Sequence, residues 1–404
     1  MHVCNMLQTR ELQKARSATQ FIFLVCGIGM ASWAPMVPYA KDRLGLDDAQ
    51  LGLLLLLLGG GALLTMPLSG VLVNRFGSRA VMMAAIGMVA VTLPLLLLLP
   101  SVTAMAVTLF LFGAGIGTTD VAMNAHGVQV QNLYGRPIMS SLHGLFSVGG
   151  LVGSLGLGFL IKLGLPPIDA AISIAVLLAV IAAIQYKRLL TSQREKEAVG
   201  RFSAVEGDQP ENRGQLPWLH GSVLFLGVMC FVAFLSEGAM LDWGAVFLRD
   251  VKGVSAELSG AGYAAFSIAM AAMRLLGDGI VTRMSGEKVV IYGSLIGAAG
   301  LCLTMMSPWV LGALAGFVLL GIGAANIVPV FFSEAGRLPG IPPAIGIPAI
   351  TTMGYAGQLA GPALLGFIAF YFSLPTAFGF LALMLVGVAV AFSMKRSREA
   401  RNDS

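Results

Sequence analysis

The chain has 404 residues, of which 57% are hydrophobic and 11% charged, with a formal net charge of +5; an average soluble domain carries roughly 25% charged residues. So much apolar surface cannot be hidden inside a soluble fold, which excludes a disordered chain, a disulfide scaffold and a nucleic-acid-binding module. The four cysteines have no ligand-type spacing, so neither disulfides nor a metal site is expected.

A membrane-spanning helix needs about 20 mostly apolar residues. Twelve such runs follow one another, centred on 20–40, 49–72, 80–99, 103–126, 138–161, 168–187, 219–243, 257–281, 288–306, 309–332, 342–370 and 375–394. Backbone groups cannot stay unpaired in lipid, so each run is expected to be a helix. The Leu-rich stretches 51–58 and 95–99 are embedded in runs too long for strands. The first run is too long for a signal-peptide core and lacks a convincing cleavage site, so no removal is expected. Between the sixth and seventh runs lies the only long polar stretch, 188–217, which reads as a mobile, solvated cytoplasmic linker. It divides an N-terminal six-helix bundle, 1–187, from a C-terminal one, 218–404. With the N-terminus in the cytoplasm, 19 of the 25 Lys and Arg fall in inner segments. Five (Lys41, Arg43, Lys162, Arg249 and Lys252) fall in outer ones, and Arg274 lies within a run. This positive-inside bias predicts a multi-pass protein of a bacterial inner (plasma) membrane with both termini cytoplasmic.

The halves repeat at an offset near 208. Gly115-Ile116-Gly117-Thr118-Thr119-Asp120 matches Gly321-Ile322-Gly323-Ala324-Ala325-Asn326. Arg75 matches Arg283, the pair Gly149 and Gly153 matches Gly357 and Gly361, and Trp33 matches Trp243. Internal repeats in a polytopic membrane protein point to a transporter with its site near the midplane.

After the second run comes Gly70-Val71-Leu72-Val73-Asn74-Arg75-Phe76-Gly77-Ser78-Arg79, of the form G-x-x-x-N-R-x-G-x-R. Twelve spans in two related halves, a central loop and this motif resemble the major facilitator superfamily. The family usually has Asp where Asn74 stands, which removes the charge a gating lock would use there. The second copy is more degenerate, with Thr282-Arg283 and Gly277 displaced. Met30-Ala31-Ser32-Trp33, Asn124-Ala125-His126-Gly127, Leu142-His143-Gly144, Glu237-Gly238, Asp242-Trp243 and Gly361-Pro362 resemble the MosC/YbjJ-like branch of sugar or polyol permeases. The resemblance implies an all-α membrane protein of twelve transmembrane helices in two pseudo-symmetric six-helix bundles. It also implies gating loops built from Gly70, Asn74, Arg75, Gly77 and Arg79, with Asp278 and Arg283 in the second half.

An ionisable residue within a span is expensive and faces the bundle interior or a wet cavity. Asp120, Glu237 and Arg274 are such residues; Asp242 lies near the outer end of span seven by hydropathy and deeper by the Trp33–Trp243 match. Gly113, Gly117, Asp120 and Asn124 share one helix face, with the glycines admitting a neighbouring helix. His143, Ser147, Gly150 and Ser154 repeat the spacing in span five. Tyr355, Gln358 and Pro362 take the equivalent places in span eleven, and Tyr263, Ser267, Met270, Arg274 and Asp278 form a stripe in span eight. Four polar stripes predict a hydrated central cavity, with Trp33, Asn124, His143, Asp242, Trp243, Asn326, Tyr355 and Gln358 as solute-binding candidates. Structural alternatives stand beside each. Glu237 and Arg274 could form a permanent packing lock, or Arg274 could bond Asp278 one turn on. Asp120, Asp278 and His143 could be structural, the tryptophans could belong to an interface belt, and the paired glycines read as helix packing.

Two embedded acids against one base leave one carboxylate able to carry a proton, Glu237 first and Asp120 second. The expected function is proton-coupled import of a small polar solute by alternating access. Trp rings with Asn, Gln and carboxylates suit a sugar, polyol or amino sugar. The competing reading is a proton-driven exporter of drugs or amphiphilic metabolites. Exporters of the superfamily commonly carry Gly-Pro in span five, which is missing from 149–154 here and occurs instead at Gly361-Pro362. No zinc motif, nucleophile elbow or dinucleotide loop is visible, so neither enzymatic activity nor a cofactor is expected. The partners are a small-molecule substrate, protons and the lipid bilayer, with the chain acting as a monomer.

Overall fold

Where no water can satisfy the backbone, every N–H and C=O must be paired within its own segment, and the computed structural model of the chain is accordingly all-helical. It describes residues 2–46, 48–205, 220–254 and 260–402. The linker's second part (206–217), residue 219 of the seventh run and residues 257–259 of the eighth lie outside the described residues.

Among the described residues twelve segments are long and apolar enough to cross a membrane. The first six are carried by α1 (His2–Ser32), α3 (Asp48–Phe76), α4 (Ser78–Leu98), α5 (Val102–Tyr134), α6 (Met139–Lys162) and α7 (Pro167–Tyr186). A short α2 (Val37–Leu44) precedes α3, and α8 (Ser192–Val205) follows α7. The second six are carried by α9 (Gly221–Val246), α10 (Ala261–Met284), α11 (Gly286–Met306), α12 (Val310–Ala324) with α13 (Ile327–Ala335), α14 (Pro343–Tyr371) and α15 (Leu374–Asn402). The linker, expected to be mobile throughout, is helical over its first part: α8 is ordered by a buried glutamate, Glu195, at 8% exposure.

Two compact units result. One comprises Met1–Gly135, Leu145–Pro217 and Gly336–Ala349, the other Arg136–Gly144, Trp218–Ala335 and Ile350–Ser404. By this division α6 begins in the second unit and α14 in the first.

Within each unit, helices meet closely where glycine omits a Cβ. A Cβ on Gly117 would lie 2.8 Å from Ala62 Cα, one on Gly153 2.9 Å from Ile28 Cα, and one on Gly357 3.0 Å from Phe231 Cα. Three of the four repeated glycines therefore serve packing; Gly361 is looser, 3.5 Å from Leu235 Cδ1. Two basic residues against the charge bias also find a structural use. Arg43 Nη2 donates to Leu96 O at 3.0 Å, and Lys252 Nζ donates to Ser307 O at 2.6 Å and Met305 O at 3.4 Å. They meet the C-terminal ends of α4 and α11, where open carbonyls and the macrodipole favour a cation by roughly 0.3–1 kcal/mol.

Candidate solute and proton site

Pro329 has no amide hydrogen, so the Ala325 carbonyl four residues earlier loses its helical donor. The tenth span breaks there, between α12 and α13. Arg274 of α10, 6% exposed, supplies the missing donor: its Nε donates to Ala325 O at 3.0 Å. Its Nη2 donates to Glu237 Oε1 on α9 at 2.9 Å. Of the partners the sequence left open for Arg274, Glu237 makes the ion pair. Asn326, at the break, donates from Nδ2 to Met273 O at 3.3 Å. Its buried Oδ1 accepts no hydrogen bond among the described residues, and a Cβ on Gly277 would collide with it.

Around this pair α9 packs on α14. The Trp243 ring lies 3.1 Å from where a Cβ on Gly366 would sit, and Gln358 Cγ lies 3.3 Å from the same place on Gly238. The Tyr355 ring sits 5.6 Å from that of Phe234. The buried Trp243 Nε1 has no hydrogen-bond partner among the described residues. Asp242 is exposed and makes no ion pair among them, so it does not join Arg274. Asp278 Oδ1 accepts from Ser141 N–H at 3.0 Å, placing a carboxylate on the open amides and positive dipole end of α6. His143, 8% exposed on the next turn, stacks on Phe332 with ring centroids 5.5 Å apart.

In the first unit Asp120 and Asn124 are buried one turn apart on α5. Asn124 Nδ2 donates to Asp120 O at 2.9 Å and to its Oδ1 at 3.3 Å, and among the described residues no cation pairs with Asp120. Trp33 is 5% exposed, and its Nε1 has no partner among the described residues. In the motif loop, the missing Cβ of Gly70 admits Pro348 Cγ, which would lie 2.6 Å from it. Asn74 and Arg75 are exposed, Arg75 Cζ lies 5.2 Å from the Phe76 ring, and Arg79 Cζ lies 4.4 Å from the Tyr186 ring. Gly77 caps α4 at φ 83° and ψ 151°, a conformation essentially confined to glycine. Arg283, in the last turn of α10, is exposed.

Sequence reasoning passed over two residues. Pro329 inside a span was the available signal for a carbonyl that needs a donor. Ser192-Gln193-Arg194-Glu195 has the S-x-x-E form of a helix start, but nothing in it shows that Glu195 turns inward to Ser78 and His126. Among the described residues no group of three or more His, Cys, Asp or Glu could hold a metal ion.

The family profile of the Major Facilitator Superfamily matches residues 20–340. An uncharacterized MFS-type transporter of Yersinia pestis is 45% identical over 374 residues, covering 93% of this chain and 94% of that protein. Membrane protein MosC of Rhizobium meliloti is 31% identical over 379 residues, covering 93% and 88%. Solved structures share the fold at low identity. The human organic anion transporter MFSD10 has a TM-score of 0.72 at 15% identity, covering 94% of this chain and 99% of that one. The proton:xylose symporter XylE has 0.72 at 13%, covering 95% of each. The Escherichia coli fucose:proton symporter FucP has 0.68 at 16%, covering 94% and 98%.

Proposed function

The chain belongs to the major facilitator superfamily, whose members are multi-pass membrane transporters and not enzymes, and from that premise we propose that it carries a small polar solute by alternating access, coupled to protons and directed inward. The observation that carries the reading is the Glu237–Arg274 pair inside two spans, its guanidinium also on a proline-opened carbonyl. Protonating Glu237 removes the charge that holds Arg274 Nη2, and the released donors can then meet a solute. A proton and a solute acting through one arginine are thermodynamically linked. Asp120, bonded to an amide instead of a cation, is the second proton candidate.

The solute we favour is a sugar, polyol or amino sugar. Trp33 and Trp243 offer indole rings whose N–H groups no described residue occupies, and Asn326 offers a buried acceptor in the same state. With Asn124, His143, Asp242, Tyr355 and Gln358 these suit a polyhydroxylated molecule. Two proteins of the same fold are described as fucose and xylose proton symporters, which agrees with this class. The charge bias supports a bacterial inner membrane with both termini cytoplasmic. Gly70, Asn74, Arg75, Gly77 and Arg79, with Asp278 and Arg283, would be the gating elements of bundles 1–187 and 218–404, joined through 188–217, in a monomeric carrier.

Uptake of labelled sugars and polyols into proteoliposomes under an imposed pH gradient tests the proposal. At least one should accumulate, and accumulation should vanish when the gradient is dissipated. Glu237→Gln should still equilibrate the solute but no longer concentrate it. Accumulation that ignores both the gradient and Glu237→Gln refutes the coupling, and a deletion strain hypersensitive to toxic compounds would favour export.

A further inference from the structure

One buried polar cluster has no part in that reading. Ser78 opens α4, His126 lies on α5 and Glu195 on α8, at 1%, 0% and 8% exposure, all in the first unit. Glu195 Oε2 accepts from Ser78 N–H at 3.1 Å. Its Oε1 accepts from the Ser78 hydroxyl and from His126 Nδ1, the latter at 2.9 Å. The Ser78 hydroxyl also lies 2.6 Å from His126 Nδ1. The other ring nitrogen, Nε2, accepts from Leu190 N–H at 3.4 Å. That donor needs a lone pair on Nε2, so the ring hydrogen sits on Nδ1, facing the carboxylate.

The first amides of a helix are open, and its N-terminus favours a negative charge. Ordinarily a side chain at the cap position answers both. Here that position is Gly77, required by φ 83° and lacking a side chain. Ser192 closes over it: a Cβ on Gly77 would lie 2.8 Å from Ser192 Cβ. Leu189, Leu190 and Ala198 are also buried, and Arg194 pairs with Glu11 of α1 at 2.7 Å.

We propose that Glu195 is a positioning residue that caps α4 from the linker and, through His126, fastens α8 to the motif loop, so that this loop and the first part of the linker turn as one piece in the transport cycle. The free connection between the halves then starts after Ala198 and not at Lys187. The cycle belongs to the carrier reading, on which this proposal rests; the fastening itself needs no solute.

Hydrogen–deuterium exchange on the purified full chain tests the fastening. In Glu195→Ala the amides of residues 78–82 and 190–198 should exchange roughly tenfold faster than in wild type, as loss of charged hydrogen bonds implies. Residues 286–290 of the second unit should not change. Glu195→Gln keeps size and one acceptor, so it should stay folded and give an intermediate increase. An exposed thiol at position 74, on the motif loop itself and outside the buried cluster, reports how that loop is populated rather than how α8 packs. The alkylation rate of Asn74→Cys in inverted membrane vesicles should therefore change about threefold when Glu195→Gln is added, if the loop's equilibrium is biased. Unchanged exchange at 78–82 in both variants overturns the proposal, and so does raised exchange with an unchanged alkylation rate. Failure of the carrier reading would show instead as absence of uptake by the wild-type protein, leaving these rates untouched.

Discussion

The turn joining α3 to α4 and the turn joining α10 to α11 lie 208 residues apart and trace the same path, with Gly77 at φ 83° and ψ 151° and Ser285 at φ 70° and ψ 150°. Their chemistry differs. The first turn uses glycine, whereas Ser285 is the one non-glycine residue with positive φ among the described residues. A side chain in this region costs about 1–3 kcal/mol. The second turn's glycine has moved one place on, to Gly286, where a Cβ would lie 2.9 Å from Val330 Cγ1. Positions 126 and 334 are also 208 apart. His126 closes the buried Ser78–Glu195 cluster, while Glu334 meets Lys395 at 3.7 Å with both side chains about one-third exposed. The repeat preserves a backbone and leaves its fastenings free to differ: buried charge-assisted hydrogen bonds in one half, packing and a loose ion pair in the other.

The embedded charges show the same asymmetry, since the second unit holds a carboxylate with its cation and the first a carboxylate with an amide. The largest expected effect therefore belongs to Arg274→Ala. It leaves Glu237 without this counter-charge and the Ala325 carbonyl without this donor; with Arg274 buried and the Glu237 side chain 23% exposed, the loss should be about 3 kcal/mol, the low end for buried pairs. Unfolding in detergent should register that loss. Asp120→Asn, which abandons no cation, should cost the least of Arg274→Ala, Glu237→Gln and Asp120→Asn. The reverse order would mean that the asymmetry read from the contacts is not the energetic one.

Next come the two fastenings. Glu195→Ala should destabilise by about 2–3 kcal/mol, the scale of hydrogen bonds to a charged group. Lys395→Ala should cost about 0–1 kcal/mol, as exposed ion pairs do. Acid separates them further. Burial alone would raise the Glu195 carboxyl, but the bonds from His126 and Ser78 outweigh it and hold the group below its ordinary value of 4.5. A carboxyl lowered in the folded state contributes stability that is complete above the ordinary value and disappears as pH falls through the lowered one. Thermal midpoints of wild type and Glu195→Gln should therefore differ by a constant amount above about pH 5 and converge below about pH 4. A difference that widened on acidification would contradict the ionised carboxylate.

These contrasts mark where the sequence could be read and where it could not. Span number and helical class were legible because length and hydropathy are one-dimensional signals. The Gly113, Gly117, Asp120 and Asn124 stripe was legible because helical spacing fixes which residues share a face. Arg274 was visible as misplaced in lipid, but its pairing with Glu237 is a contact across helices that no spacing encodes. The linker misled for a related reason. Its composition is that of solvated chain, yet Glu195 is held by Ser78 and His126, residues 117 and 69 positions away. Arg43 and Lys252, which depart from the charge bias in the sequence, sit on helix ends that no one-dimensional signal places beneath them.

The last expected effect isolates the backbone from everything else. Among the described residues Ser285 makes no side-chain hydrogen bond that would offset its positive φ. Replacing it by glycine removes the steric strain, but glycine also has more freedom to lose on folding, which offsets part of the gain. Ser285→Gly should thus stabilise by about 1 kcal/mol. Gly77→Ala is the reciprocal experiment and should be worse than strain alone predicts, because the new Cβ also meets Ser192 at 2.8 Å. Adding Ser192→Gly should return the clash component and leave only the strain, so that the double variant loses about as much at position 77 as Ser285→Gly gains at 285. If Gly77→Ala costs no more with Ser192 present than without it, then α8 does not press on this turn, and the first half is held no more firmly than the second.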